Sequence, residues 1–436
     1  MASGERWRAW VSLLIAREDG SFPESDRRGE CSDAVLVFST LTCCTGLPPS
    51  GSGWPEALLP LHRGYLCGHE HRLLGEVLAE GLPANGGRFS TACRKWIEGE
   101  LGARRVILTT SATAALEMAA LLCEIEPGDE VVLPSFTYVA TANAFLLRGA
   151  TLRFGDIRAD TLNLDEQALR SLITPRTRVV VPVHYAGVGA ATEEMQSMTR
   201  PHGIDIVEDA AQGLLASRNG RALGTAGELG VISFHATKNI SCGQGGALLV
   251  NDPRFDERAS ILSEEGTDRI RFRQGTVTSY QWHDIGSAFQ LSEMAAAMLL
   301  AQLQAASFIT MRRNEILTSY SKALSPLAQK GLLQLPVVPG NCLSNGHIMY
   351  VILPDRETRH RLSGDLRALG IEAVGHFMPL HASPMGQRLG YRSGDLPVTE
   401  DLASRLLRLP CWPDLSDVDI ERVVNALETC LTAGSD

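Results

Sequence analysis

From about residue 104 the chain alternates short apolar, β-branched runs with longer stretches of helical period. Residues 105–108 read as a strand and 112–124 as a helix; 130–133 and 139–147 repeat the pair. Runs at 151–154 and 178–183 follow, each ahead of a helix, and then runs at 204–207, 230–234 and 247–250. Short, continuously apolar strands separated by helices predict a mostly parallel α/β sheet covered on both faces. Catalytic groups in such sheets gather at the carboxyl ends of the strands.

Residues 292–319, rich in Ala, Leu and Met, predict one long helix acting as a spacer, its Met content serving core packing. After Leu335-Pro336 the pattern restarts with strands at 348–353 and 373–377, a helix near 359–369 and a final amphipathic helix at 418–431. This predicts a large domain over 58–320 and a smaller C-terminal α+β domain over 321–436. The first 57 residues are different. Apolar runs at 10–16 and 34–44 are separated by charged, Pro- and Gly-containing sequence. The basic start resembles a signal peptide, but Glu18-Asp19 follows and no small-residue cleavage site does. The prediction is a poorly ordered extension, or a start codon placed too early.

A chain of 436 residues, 44 % hydrophobic and 21 % charged, has the balance of an ordinary globular enzyme. Its net charge of −10 argues against a general nucleic-acid binder and leaves room for a local phosphate pocket. The ten cysteines include no CxxC pair, which predicts reduced thiols, a cytoplasmic location and no zinc finger. Gly68-His-Glu-His71 superficially resembles a metal site, but alternating ligands on a helix point to different faces, so no metal is expected. Apolar runs all fall short of the ~20 residues a membrane-spanning helix needs.

Three strand ends carry polar groups. Ile204-Asp-Ile-Val-Glu-Asp-Ala-Ala-Gln212 ends an apolar strand in two carboxylates, with Gln212 one helical turn later. Gly230-Val-Ile-Ser-Phe-His-Ala-Thr-Lys-Asn239 places a lysine just past a buried strand, in a loop tightened by Gly243, Gly245 and Gly246. Such a lysine suits a desolvated amine; as a free base it needs its ordinary pKa of ~10.4 to fall. Thr109-Thr-Ser-Ala-Thr-Ala115 puts hydroxyls where strand becomes helix, a place that binds phosphate or merely caps the helix. Each feature alone also has a structural explanation. Together they specify the parts pyridoxal phosphate needs: an amine for its aldehyde, a helix start for its phosphate and a carboxylate for its ring nitrogen. Tyr138, one strand on, is an aromatic placed to stack on the ring.

With these parts in place, the sequence resembles the DegT/StrS group of nucleotide-sugar aminotransferases. The resemblance runs from about Leu58 to the C-terminus. It is carried by Pro134-Ser-Phe-Thr-Tyr-Val-Ala-Thr-Ala-Asn143, Val181-Pro-Val-His-Tyr-Ala-Gly187, Val207-Glu-Asp-Ala-Ala-Gln212, Arg221-Ala-Leu-Gly224 and Ser233-Phe-His-Ala-Thr-Lys-Asn239. Gly266-Thr-Asp-Arg269, Phe272-Arg-Gln-Gly275 and Trp282-His-Asp-Ile-Gly-Ser287 resemble the subgroup that makes dTDP-4-amino-4,6-dideoxygalactose for enterobacterial common antigen.

The resemblance implies the aspartate aminotransferase-like fold (fold type I), pyridoxal 5′-phosphate as cofactor and a homodimer. It implies that Lys238 forms the Schiff base and moves the proton, that Asp209 pairs with the pyridinium nitrogen and that Gln212 touches the phenolic oxygen. Tyr138 would stack on the ring, and Ser233, Ser111, Ala112 and Thr113 would hold the phosphate. A neighbouring subunit usually adds an asparagine to that phosphate site; the corresponding position here is Ala288, a departure. The implied reaction takes nitrogen from L-glutamate to the 4-keto group of dTDP-4-keto-6-deoxyglucose. Alternatives are a relative acting on another dTDP- or UDP-keto sugar, or a non-catalytic cofactor-binding regulator; a 3-dehydratase of this fold is disfavoured because it replaces the lysine with histidine. The loop His376-Phe-Met-Pro-Leu-His381 borders the sugar pocket or is a well-bonded structural loop.

Overall fold

The computed structural model describes residues 58–81 and 83–432; the predicted extension and its two apolar runs lie outside the described residues. In chain order, β1 (Arg105–Thr109), β2 (Glu130–Pro134), β3 (Thr151–Gly155), β4 (Thr177–Val180) and β5 (Asp205–Asp209) are followed by a small hairpin, β6 (Ser217–Arg218) and β7 (Arg221–Ala222). Then come β8 (Leu229–Ser233) and β9 (Gly246–Val250). The main sheet has seven strands in the order β1-β9-β8-β5-β4-β2-β3. Pairings β3/β2, β2/β4, β4/β5 and β5/β8 are parallel. Only β9 runs against its neighbours, β8 and β1. It does so because the chain returns from β8 through a loop rather than a crossover helix, and that loop carries Lys238.

β2, β8 and β9 are buried along their whole length, as apolar runs between two helical layers require. One layer contains the Ala112–Leu122 and Asp256–Ser263 helices, which pack with Val131, Val207 and Leu248. The other contains Arg88–Leu101 and Glu293–Gln304, which pack with Leu108, Ile232 and Leu249. A further core joins Leu59, Ile316, Tyr320, Leu324, Val351, Leu362, Leu407 and Leu427. Most of these come from the Ala306–Gln329 helix, β11 (Met349–Ile352), the Arg356–Ala368 helix, β12 (Leu406–Leu409) and the Asp417–Thr432 helix. The intervening β10 (Cys342–Leu343) pairs with β6.

Two expectations change. The single helix predicted for 292–319 is two helices, Glu293–Gln304 and Ala306–Gln329, bent by 59° at Ala305. The physical reason is packing: Ala296, Leu299 and Leu303 bury against the main sheet, whereas Ile316, Tyr320 and Leu324 bury in the C-terminal core. One straight helix cannot serve both. The strand predicted for 373–377 is reduced to one bridge, between Val374 and Arg408 on the edge of β12 away from β11. Glu70 of the His-Glu-His run is buried and accepts hydrogen bonds from the Cys67 and Gly68 N–H groups and the Gln302 amide, which is capping work. No single helix among the described residues is long and apolar enough to cross a membrane.

Candidate active site

The alternation of side chains along β5 separates its two terminal carboxylates. Glu208 turns into the protein, where it accepts hydrogen bonds from His184 Nε2 at 2.8 Å, Ala226 N at 2.6 Å and Gly227 N at 2.7 Å. The Ala190 N–H occupies His184 Nδ1, so Nε2 carries the proton given to Glu208. Asp209 turns the other way, into a cavity of about 590 Å³. Its Oδ2 accepts from Thr141 Oγ1 at 2.7 Å and its Oδ1 from the Ala211 N–H at 3.1 Å, so the carboxylate is held still.

Lys238 lines the same cavity. Burial lowers its pKa to about 8; the Asp209 carboxylate pulls it up and Arg408 pushes it down. The loop holding it is fastened by Asn239, whose Nδ2 donates to Asn345 O at 2.9 Å and whose Oδ1 is 2.9 Å from His347 Nδ1. Since the Asn239 oxygen must accept, His347 Nδ1 carries the proton.

The Ala112–Leu122 helix begins at the carboxyl end of β1, with Ser111 as its cap accepting from the Ala114 N–H at 3.0 Å. The capping explanation is therefore realised, and Ser111 and the helix start line the cavity together with Thr113 and Ser233. Gly246 makes the close approach possible. A Cβ there would lie 2.4 Å from Ala112 N and 2.4 Å from the Ser111 carbonyl carbon. Gln212 Oε1 accepts from the Ala186 N–H at 2.7 Å, so its amide NH₂ is the end left for a ligand. Tyr138 stands at the mouth, 61 % exposed.

All eight residues named from the sequence, Ser111, Ala112, Thr113, Tyr138, Asp209, Gln212, Ser233 and Lys238, line this one cavity. The donor set fits pyridoxal phosphate: a buried amine of lowered pKa, a fixed carboxylate, and a helix start approached through a glycine. Ala288 is exposed in a loop.

The lining also contains His62, Arg313, His347, His376 and Arg408. Of these, only His376 was marked in the sequence, as part of a loop bordering the sugar pocket or merely well bonded. His376 stacks on Phe377 at 3.8 Å, and its Nδ1 is 2.8 Å from the Tyr185 hydroxyl. Burial and then Arg408 lower the His376 pKa to about 2, while burial raises that of Tyr185, so a phenol donates to a neutral imidazole. His62 Nε2 donates to Ala236 O at 3.1 Å, its pKa lowered to about 4 by burial and then by Arg313. The 376–381 loop thus divides: His376 borders the cavity, whereas His381 is buried between Ser135 and Glu400. Nothing in the sequence marked His62, Arg313, His347 and Arg408, because they come from segments far apart, and a lone His or Arg beside an apolar run reads as a solvated position.

The sequence model of the DegT/DnrJ/EryC1/StrS aminotransferase family matches residues 68–428. Among solved structures, the aminotransferase TlmJ from Streptoalloteichus hindustanus is 30 % identical with a TM-score of 0.78, over 87 % of this chain and 100 % of its own. DesV from S. venezuelae, solved with a ketimine intermediate, is 30 % identical with a TM-score of 0.76, over 83 % and 94 %. A DegT DnrJ EryC1 StrS aminotransferase from Brucella abortus is 28 % identical with a TM-score of 0.74, over 83 % and 95 %. With the match spanning most of the chain and both halves of the cavity, the protein belongs to the DegT/DnrJ/EryC1/StrS family of sugar aminotransferases, enzymes that depend on pyridoxal 5′-phosphate.

Proposed function

We propose that the protein transfers the amino group of L-glutamate to the 4-keto carbon of dTDP-4-keto-6-deoxy-D-glucose, giving dTDP-4-amino-4,6-dideoxy-D-galactose and 2-oxoglutarate. The observation that carries the reading is a buried lysine amine with a pKa lowered to about 8 in the same cavity as a fixed carboxylate and an open helix start. The sugar assignment is supported by the 266–287 motifs, which resemble the subgroup with that product. The same reading places the enzyme in the cytoplasm as a homodimer, with a large domain over 58–320, a small one over 321–436, and a product destined for a surface glycan. Exposed Phe272, Tyr280, Trp282 and Ile285, all in that motif region, support a partner subunit there.

When bound, pyridoxal phosphate supplies an aldehyde for the amine and a ring that draws electrons from the reacting carbon. In this reading Lys238 Nζ would hold the cofactor and would be the amine that moves the proton at the reacting carbon. Asp209, locked by Thr141 and Ala211, would be the carboxylate that meets the ring nitrogen. Gln212 would offer its NH₂ to the phenolic oxygen, and Tyr138 would cover the ring. Ser233, Ser111 and the Ala112 and Thr113 N–H groups grip the phosphate. The test is a panel of dTDP- and UDP-keto sugars with L-glutamate, products read by mass; the 4-keto-6-deoxyglucose nucleotide is expected to gain an amine. Lys238→Ala is expected to bind cofactor without a covalent bond and to lose turnover by at least about a thousandfold. Turnover retained in that variant overturns the assignment of roles.

A further inference from the structure

A cavity of about 260 Å³, apart from the Lys238 site, opens along the free edge of β1, between the Arg88–Leu101 helix and the short Arg269–Arg273 helix. It has no lining residue in common with the Lys238 cavity. β1 ends the sheet here, and residues 289–291 cover only its last part: Thr110 N donates to Phe289 O and Leu291 N to Leu108 O. Arg94, Arg105 and Arg273 line the cavity against one carboxylate, Glu264. That carboxylate is already engaged, its Oε1 accepting from Arg273 Nη1 at 3.0 Å and from Gln290 Nε2 at 2.6 Å.

Arg94 and Arg105 have no such partner. Among the described residues neither has a carboxylate within ion-pair range, and Asp256 pairs with Arg104 instead. Arg94 spends one N–H of its five, on Thr91 Oγ1 at 3.1 Å, while Arg105 donates to Asp256 O at 2.9 Å and to Ser260 Oγ. Both are half-buried, and the two charges meet: burial is the main cause that lowers the Arg105 pKa, Asp256 opposes it and Arg94 adds to it. Two guanidiniums drawn out of water beside each other, with most of their N–H groups unspent, carry both a desolvation and a repulsion cost. An anion arriving between them relieves both.

We propose that this cavity binds a phosphate-class dianion between Arg94 and Arg105, free or as the terminal group of a small phosphorylated metabolite. Three cations against one carboxylate leave two positive charges, which a doubly charged oxyanion balances. With less than half the volume of the Lys238 cavity, the site is too small for a whole nucleotide sugar. The bound ion would also face Arg273, joining the helix and the edge strand to the segment that presents Phe272 and Tyr280 to solvent. This site goes beyond the aminotransferase reading and does not depend on it.

The test uses holoenzyme cleared of unbound cofactor, so that the phosphate cradle stays occupied. Its unfolding midpoint is followed as chloride is replaced by inorganic phosphate or by glucose 1-phosphate at constant pH and ionic strength. Wild type is expected to gain about 2 °C once the phosphate stands about twentyfold above its half-effect concentration. Arg94→Gln is expected to raise that half-effect concentration at least about tenfold, Arg105→Gln likewise, with Arg94→Lys between. In chloride alone Arg94→Gln should hold or raise the midpoint, because it removes a repulsion; a lowered midpoint there makes Arg94 a structural residue and overturns the proposal. A phosphate response that the variants keep in full is general salt stabilisation and overturns it too, as does the lack of any response in wild type. If glucose 1-phosphate acts at lower concentration than inorganic phosphate, the site takes a metabolite's terminal group; otherwise it takes the free ion, and either result supports the proposal. Arg94→Gln carries the test if Arg105→Gln fails to fold, since Arg94 makes a single hydrogen bond. Cofactor absorbance is expected to be the same in wild type and variants, so a failure of the aminotransferase reading, seen as no covalently held cofactor, is distinct from a failure here.

Discussion

A single side chain decides when the site becomes reactive. The Lys238 amine attacks an aldehyde only as the free base, and its pKa of about 8 means that below this pH each further unit leaves about tenfold less of it. The rate at which apoprotein takes up pyridoxal phosphate covalently should therefore rise with pH and level off above about 8, followed by absorbance and by borohydride trapping at position 238. Burial is the main cause of the depression, with Asp209 opposing it. Asp209→Asn removes the opposing charge, so the midpoint should move to lower pH; a shift to higher pH, or none, contradicts the placement of the carboxylate beside the amine. The same residue types elsewhere do not make a reactive site. Ser135, His381 and Glu400 are linked at 2.7 and 2.9 Å, but Ser135 and His381 are wholly buried, and the chain of hydrogen bonds only ties the 381 loop to β2.

The phosphate cradle is a property of several elements, since neither the Ala112–Leu122 helix start nor Ser233 of β8 makes it alone and β9 must let them approach. Gly246 is where β9 touches the helix start, and its missing side chain is what lets the helix start reach the cavity. Gly246→Ala would press a methyl carbon into backbone atoms that cannot rotate away. The expected result is a loss of about 1–3 kcal/mol in unfolding free energy. Cofactor affinity should fall at least about tenfold by fluorescence titration, and an unchanged affinity contradicts the cradle. Elements of this kind were legible beforehand: strand and helix alternate from β1 to β9 with apolar runs that admit one reading, and each polar strand end could be read as a cap or a ligand. Less legible were features set by contact between distant elements. The bend at Ala305 depends on which of two cores each half of the helix meets. Arg408 occupies the one partly exposed position of β12, which in sequence is an ordinary charged residue among leucines. Its meaning arises only because the cavity lies on that side.

At the scale of the molecule, a chain of net charge −10 encloses a cavity whose lining carries more cations than carboxylates, so composition and site point in opposite directions. What keeps β5, β8 and the intervening turn in register under that cavity is Glu208, buried and bonded to His184, to the N–H groups of Ala226 and Gly227 and, at 3.3 Å, to that of Gly224. Burial alone raises its pKa, but His184 and those N–H groups outweigh burial and hold it below the ordinary carboxylate value. A carboxyl group depressed in the folded state stabilises the fold above its unfolded pKa, ~4.3, and that stabilisation disappears as pH falls through the lower folded value. Glu208→Gln places an NH₂ where an acceptor is needed and leaves N–H groups unpaired in the interior. The expected cost at pH 7 is about 3 kcal/mol, read from urea unfolding. The difference between wild type and variant should hold steady down to about pH 5 and shrink only below ~4.3, as the wild-type carboxylate takes up its proton. A difference that shrank already near pH 6 to 7 instead would contradict a Glu208 carboxyl held below its ordinary value, and would leave the role of Asp209, on the other face of the strand, untouched.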